Sequence, residues 1–173
     1  PGRTSTAEAV LDASGAATYT FDLAWDPDPA GIPEGLDAVH TSSIAAVMEP
    51  GASTLAELLR TAGASATISY DPNARPTLMG APEDVRSRIE ENIALADVVK
   101  ASDEDVAWLY GTDDLEDVVS SWRGLGPSLT VLTRGGEGAV AFSASGRVQV
   151  APTQVEVVDT VGAGDTFSAG ILD

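Results

Sequence analysis

Residues 159–173 read DTVGAGDTFSAGILD, a small-residue turn that opens a helix and is built to hold an anion. Gly162 and Gly164 let the backbone N–H groups of Gly162, Ala163 and Gly164 converge on a ligand without Cβ obstruction. A helix N-terminus adds partial positive charge there. Asp165 is the odd member of this set. A carboxylate at the mouth of an anion site repels the ligand, so it needs a chemical reason, and accepting a proton from a hydroxyl that attacks a phosphoryl group is one. The competing reading is a tight strand-to-helix turn in which Asp165 merely caps the helix.

Other stretches carry the same ambiguity. Thr133-Arg134-Gly135-Gly136-Glu137-Gly138 reads on its own as a glycine hairpin turn between two edge strands, which is compatible with a second role for its backbone. Ser102 and Asp105 have the Ser-x-x-Asp spacing of a capping box ahead of an apolar run. Asp159 reads on its own as a residue at a strand end that satisfies its turn. Arg75, a lone arginine after a strand, reads as surface, and nothing pairs His40, the only histidine, with a nucleophile.

These residues need a scaffold, and the scaffold is legible as periodicity. Ala7 to Leu11 and Thr18 to Leu23 flank the turn-forming Asp12-Ala13-Ser14-Gly15 and read as a hairpin. The proline-rich segment Asp22 to Gly35 reads as a linker. From Asp37 onward strands alternate with helices. Val39 to Ser42, Thr67 to Tyr70, Asp97 to Lys100 and Leu129 to Thr133 are expected strands. Leu55, Leu58, Leu59 and Ala62 mark one helix. A second starts near Pro82 with Glu83 and Asp84 in its first turn and buries Val85, Ile89 and Ile93. Leu115, Val118, Val119 and Trp122 mark a third. The alternation implies a largely parallel sheet with helices on both faces. Gly138 to Phe142 and Val148 to Val150 suggest an antiparallel hairpin at a sheet edge.

Composition bounds the function. With 173 residues, 43% of them hydrophobic, the chain has enough length for one substantial core. No apolar run approaches the roughly 20 residues of a membrane span. The absence of cysteine excludes disulfides and thiolate metal sites. There are 27 acidic residues against 9 basic, a net charge of −18. That field repels nucleic acid, and it disfavours ATP as well unless the nucleotide arrives as its magnesium complex at a locally positive site. Only one lysine, Lys100, is present. The acidic excess reads as solvated surface, with adaptation to high salt as the alternative.

The DTVGAGDTF run resembles the C-terminal signature of the phosphofructokinase-B type carbohydrate kinases of the ribokinase family. Three further stretches support it in the family's order: DPNARP at 71–76, DVVKASDED at 97–105 and TRGGEGA at 133–139. The run SIAAVMEPG at 43–51 and the DPNAR run are most similar to the fructokinase branch. The resemblance implies a ribokinase-like α/β fold, a mainly parallel sheet flanked by helices with a small β-sheet lid. Residues 1–25 would form part of the lid, and 26–173 a nucleotide- and sugar-binding core. That core is expected to be incomplete, because such kinases carry more sequence at both ends.

The implied reaction is ATP-dependent phosphorylation of a sugar primary hydroxyl, fructokinase-like. Its alternatives are ribokinase, 2-keto-3-deoxygluconate kinase or adenosine kinase activity, or a non-catalytic ligand-binding protein on the same scaffold. By resemblance, Asp165 is the catalytic base in contact with substrate, and Gly162, Ala163 and Gly164 hold the transferring group. Thr133, Gly135, Gly136, Gly138 and Lys100 are candidate nucleotide contacts, and Arg75 is a candidate substrate contact. Asp105 would reach Mg²⁺ through water, with Ser102 and Asp105 standing where the family usually has asparagine and glutamate. Asp159 would ligate a monovalent cation such as K⁺. The expected partners are a small-molecule sugar and ATP, with no nucleic acid and no membrane. A homodimer through the lid and a cytoplasmic setting complete the expectation.

Overall fold

The computed structural model describes residues 4–11, 17–31, 33, 35–153 and 155–173. The turn expected at Asp12 to Gly15 lies outside the described residues. β1 (Thr6–Leu11) and β2 (Ala17–Asp22) pair antiparallel from Thr6↔Asp22 to Leu11↔Ala17 as a two-stranded sheet of their own. An isolated hairpin is marginal in water, so the segment that follows is fastened at both ends. Ser5 Oγ donates to the Ala24 carbonyl at 3.0 Å and accepts the Ala24 N–H at 2.9 Å. Trp25 then anchors the linker: its Nε1 donates to Ala45 O at 3.0 Å, and its carbonyl accepts the Gly51 N–H at 3.0 Å.

The main unit alternates strand and helix as the periodicity demands. β3 (Ala38–Ser42) leads to α1 (Gly51–Ala62), whose Leu55 and Leu59 form the buried stripe with Ala52 and Ala56. β4 (Thr67–Asp71) is followed by the short α2 (Pro76–Met79) and by α3 (Pro82–Leu95). Pro82 starts α3 where its missing N–H costs nothing, Glu83 and Asp84 occupy the first turn, and Val85, Ile89 and Ile93 are buried on one side. Each of those side chains contributes about 1.5–3 kcal/mol by leaving water. β5 (Val98–Ser102) runs into α4 (Asp103–Tyr110), which Gly111 ends in a left-handed conformation at φ 62°.

α5 (Leu115–Ser121) stops one residue short of the expected Trp122, which continues as a tighter turn over Trp122–Gly124. There Trp122 is buried, and its Nε1 donates to Tyr110 Oη at 3.0 Å, which itself donates to Glu90 at 2.8 Å. β6 (Leu129–Thr133), β7 (Ala139–Ser143) and β8 (Gly146–Val150) follow, then α6 (Ala163–Leu172).

The sheet order is β3-β4-β5-β6-β7-β8, parallel through β6 and antiparallel from β6 to β8. This is the expected α/β architecture, with one refinement to the helices on both faces. When strand order follows chain order, right-handed crossovers return every helix to the same side. Accordingly α1, α3, α4 and α5 pack in succession as one layer. They cover Ile68, Tyr70, Val99, Ala101, Leu132, Val140 and Phe142 to form the core. The opposite face carries the alternate residues, among them His40, Ser69, Asp71, Lys100 and Val131, and α6 crosses it. His40 Nδ1 lies 3.1 Å from Ser69 Oγ on this face. Among the described residues no helix is long and apolar enough to cross a membrane.

Candidate active site

In a parallel sheet the loops beyond the C-terminal strand ends form the natural ligand crevice. Here β4, β5 and β6 end at Asp71, Ser102 and Thr133, and the motifs follow from those ends. The register Tyr70↔Val99 puts the next residues, Asp71 and Lys100, side by side on the face away from the helix layer. Lys100 Nζ donates to Asp71 Oδ2 at 2.6 Å, with the two residues 7% and 2% exposed. Asp71 Oδ1 accepts the Asn73 N–H at 3.1 Å. That bond bends the chain at once into a turn, in which Asn73 tolerates a left-handed φ of 38°. Burial pushes the Asp71 carboxyl above the usual carboxylate range, the Lys100 ammonium opposes this, and the nearby Asp105 charge adds to it.

The turn after β4 is bound to α4 by Asp105. Its Oδ1 accepts the Ala74 N–H at 2.7 Å and its Oδ2 the Ser102 N–H at 3.0 Å, while Ser102 Oγ accepts the Asp105 N–H at 3.1 Å. The capping box is therefore present in full. Arg75 is folded back onto its own turn, its Nη1 donating to Asn73 Oδ1 and to Ala74 O, each at 2.8 Å. Beneath them Tyr70 is fully buried, and its hydroxyl has no hydrogen-bond partner among the described residues.

α6 brings the anion turn to this place. Gly162 caps the helix in a left-handed conformation, φ 75° and ψ 3°, and its carbonyl accepts both the N–H and the hydroxyl of Thr166 at 2.9 Å. Asp165 is exposed in the first turn. Asp159 Oδ1 accepts the Val161 N–H at 2.9 Å, which tightens the approach to the turn. A Cβ added at Gly164 would stand 3.1 Å from Lys100 Nζ. The lysine ammonium thus lies directly against the first turn of α6, with donors left over beyond the one that Asp71 engages.

A cleft of about 580 Å³ opens between α6 and the β6–β7 face, lined by Thr133, Gly135, Gly138, Ala163, Gly164 and Phe167 among others. Two of the sequence motifs therefore meet in one cavity, while Gly136, Gly162, Arg75, Asp105, Asp159 and Asp165 do not line it. Gly138 has a structural reason as well. Its φ of +92° and the close Val150 carbonyl and Pro152 leave no room for a side chain. Arg134, between Thr133 and Gly135, points instead at Glu116 on α5, 2.7 Å away. Sequence reasoning missed the Asp71–Lys100 pair and Glu116. The available signal for the pair was a lone lysine inside a strand of a strongly acidic chain.

Residues 4–173 match the profile of the pfkB family carbohydrate kinases. A fructokinase of Rhizobium leguminosarum bv. trifolii is 37% identical over 180 residues, which take in 98% of this chain and 54% of that relative. Among solved structures, a fructokinase of Xylella fastidiosa with bound ATP superposes with a TM-score of 0.83 at 26% identity, over 98% of this chain and 56% of that one. A double mutant of the Vibrio cholerae O395 fructokinase, in fructose-, ADP- and potassium-bound form, gives 0.80 at 27% identity, over 96% and 57%. The chain spans about half the length of the relatives it matches.

Proposed function

Because the chain belongs to the pfkB family of carbohydrate kinases, we propose that the protein transfers the terminal phosphoryl group of ATP to a primary hydroxyl of a sugar, fructose being the leading acceptor. The observation that carries this reading is the meeting of two backbone-rich turns. The first turn of α6 rests on the Lys100 ammonium, and the cleft beside it is lined by Thr133, Gly135 and Gly138. The solved relatives described as holding ATP, or ADP with fructose, support it.

The chemistry follows from charge. Asp165 takes the proton of the acceptor hydroxyl as its oxygen attacks the terminal phosphorus and the bond to the leaving ADP oxygen breaks. N–H groups of Gly162 and Gly164, reinforced by the α6 dipole, bind the negative charge on the transferring group, whereas the Ala163 N–H is already taken by the Thr160 carbonyl at 3.1 Å. Asp71 largely neutralises Lys100, so the ammonium adds hydrogen-bond donors below the turn without collapsing onto the phosphates. Such fixed dipoles do their work without reorganising during the reaction.

Mg²⁺, when bound with the donor phosphates, supplies charge neutralisation. Both Asp105 oxygens already accept backbone N–H groups, and a carboxylate with remaining lone pairs fits such an ion through water rather than by direct ligation. Asp159 keeps its second oxygen for a monovalent cation, for which potassium is the candidate. The β1–β2 hairpin is the candidate lid over the acceptor, and a surface for a second copy.

The alternative, a nucleotide-binding protein without turnover, draws on Ser102 and Asp105 forming a complete capping box. The test is ATP consumption across a panel of fructose, ribose, 2-keto-3-deoxygluconate and adenosine. Phosphorylation of one acceptor well above the others carries the proposal and names the substrate. Binding of Mg·ATP without phosphorylation of any acceptor overturns it in favour of the alternative.

A further inference from the structure

Glu116 stands outside every group assigned above. It sits in the first turn of α5, and its Oε1 accepts from Arg134 Nη2 at 2.7 Å. Arg147 on β8 grips the same carboxylate as a fork, Nε on Oε2 at 2.7 Å and Nη2 on Oε1 at 3.1 Å. The chain holds 9 basic residues against 27 acidic, yet two of them converge on this one carboxylate. Abundance does not explain that choice. Forked arginine–carboxylate pairs fix geometry as well as adding energy.

The position matters because of what flanks Arg134. Thr133 and Gly135 both line the cleft beside α6, whereas the Arg134 guanidinium is turned to α5 on the helix-bearing side. The loop closes on itself through the Arg134 N–H to Gly138 O and the Glu137 N–H to Arg134 O, both 2.8 Å. Glycines at 135, 136 and 138 leave such a backbone with wide conformational freedom. A side-chain grip from behind removes much of that freedom before any ligand arrives, and ordering a loop in advance lowers the entropy lost on binding.

We infer that Glu116 is a positioning residue of the nucleotide site, acting through Arg134 to hold the backbone of residues 135–138 in the shape that receives the donor phosphates. The inference rests on the kinase reading above. Two measurements test it on the whole protein. The first is amide hydrogen exchange of residues 135–138 without ligand. The second is KM for Mg·ATP set against KM for the sugar acceptor.

In Glu116→Gln the loop amides exchange faster, and the nucleotide KM rises by about fivefold to tenfold while the acceptor KM does not follow. Arg134→Ala gives the same rise, and the double variant gives no more than either single, since both remove one contact. Arg147→Ala, which removes equal charge from the same carboxylate but leaves Arg134 in place, gives a smaller rise. Unchanged exchange and KM in Glu116→Gln, or additive losses in the double variant, overturn the inference while leaving the kinase reading intact. A wild-type protein that takes up no nucleotide overturns both.

Discussion

Lys100 and Asp71 form a buried ion pair, Nζ to Oδ2 at 2.6 Å, on neighbouring strands at the point where the sheet meets the first turn of α6. Taking two charges out of water is costly, and such a pair is weak evidence for stability in itself. Its consequence is positional. Asp71 also accepts the Asn73 N–H, so one carboxylate aims the ammonium at Gly164 and bends the chain into the DPNAR turn.

Removing the lysine strands the carboxylate. Lys100→Met leaves Asp71 buried without its cation, which costs about 3–5 kcal/mol at neutral pH. Burial already raises the Asp71 carboxyl, and losing Lys100 raises it further. A raised acid binds its proton more readily folded than unfolded, so the deficit grows as pH rises above the unfolded value and shrinks as pH falls. Denaturant titrations at pH 7 and pH 5 check this: the gap between wild type and variant narrows at the lower pH. Asp71→Asn combined with Lys100→Met should recover part of the loss.

The contrast between what the sequence shows and what it hides follows the range of each interaction. Leu129–Thr133 and the start of α3 at Pro82 appear as read, because alternation, a first-turn proline and helix-start acids act within a few residues. The capping box of Ser102 and Asp105 is legible for the same reason. The Asp71–Lys100 bond joins residues 29 positions apart, and the grip of Glu116 on Arg147 spans 31. Both depend on strand register and order, which no local pattern encodes. The packing of α1, α3, α4 and α5 in one layer likewise depends on strand order. The glycine spacing at 162–164 is legible in the chain, but only the fold reveals the ammonium beneath that turn.

Gly164 separates stability from activity. An alanine there should help the helix, since Ala exceeds Gly by roughly 0.5–1 kcal/mol in helix interiors. Its Cβ, however, stands 3.1 Å from Lys100 Nζ, so the ammonium at the end of its flexible side chain must give by a few tenths of an ångström and leave its place below the turn. Gly164→Ala is therefore expected to melt no lower than wild type while losing turnover. Gly164→Val goes further, falling by about 10²–10³ as the donors of the turn are displaced. Melting curves beside ATP-consumption assays decide it, and near wild-type turnover in a folded Gly164→Val protein would remove the anion turn from the mechanism.

Acid should loosen the loop clamp. Hydrogen bonds from Arg147 first, and then from Arg134, hold the Glu116 carboxyl at about 2, well below its ordinary value of 4.5. A depressed carboxyl contributes stability that is complete above the unfolded value and is lost as pH falls through the folded one. The contribution therefore fades between about pH 4.5 and pH 2. Glu116→Gln lacks this titration, so its stability difference from wild type should shrink across that window in acid denaturation followed by circular dichroism. A constant difference down to pH 2 would mean that the two arginines do not bind this carboxylate in solution.

Asp165 is where the two readings of the signature part company. As a first-turn acid it interacts favourably with the α6 dipole, an effect worth about 0.3–1 kcal/mol at an exposed position. As a general base it is worth roughly 10²–10⁴ in rate. Asp165→Asn keeps the shape of the side chain and removes proton acceptance, so the two roles leave different traces. If the carboxylate is the base, turnover at saturating ATP and sugar falls by that factor. Nucleotide affinity holds or tightens, because a negative charge beside bound phosphates has gone. If it is only a cap, the melting temperature drops slightly and saturated turnover stays. Calorimetric Mg·ATP binding measured beside steady-state turnover separates these outcomes, and an Asp165→Asn protein that binds ATP normally and turns over at the wild-type rate would return Asp165 to the helix and leave the kinase chemistry without its base.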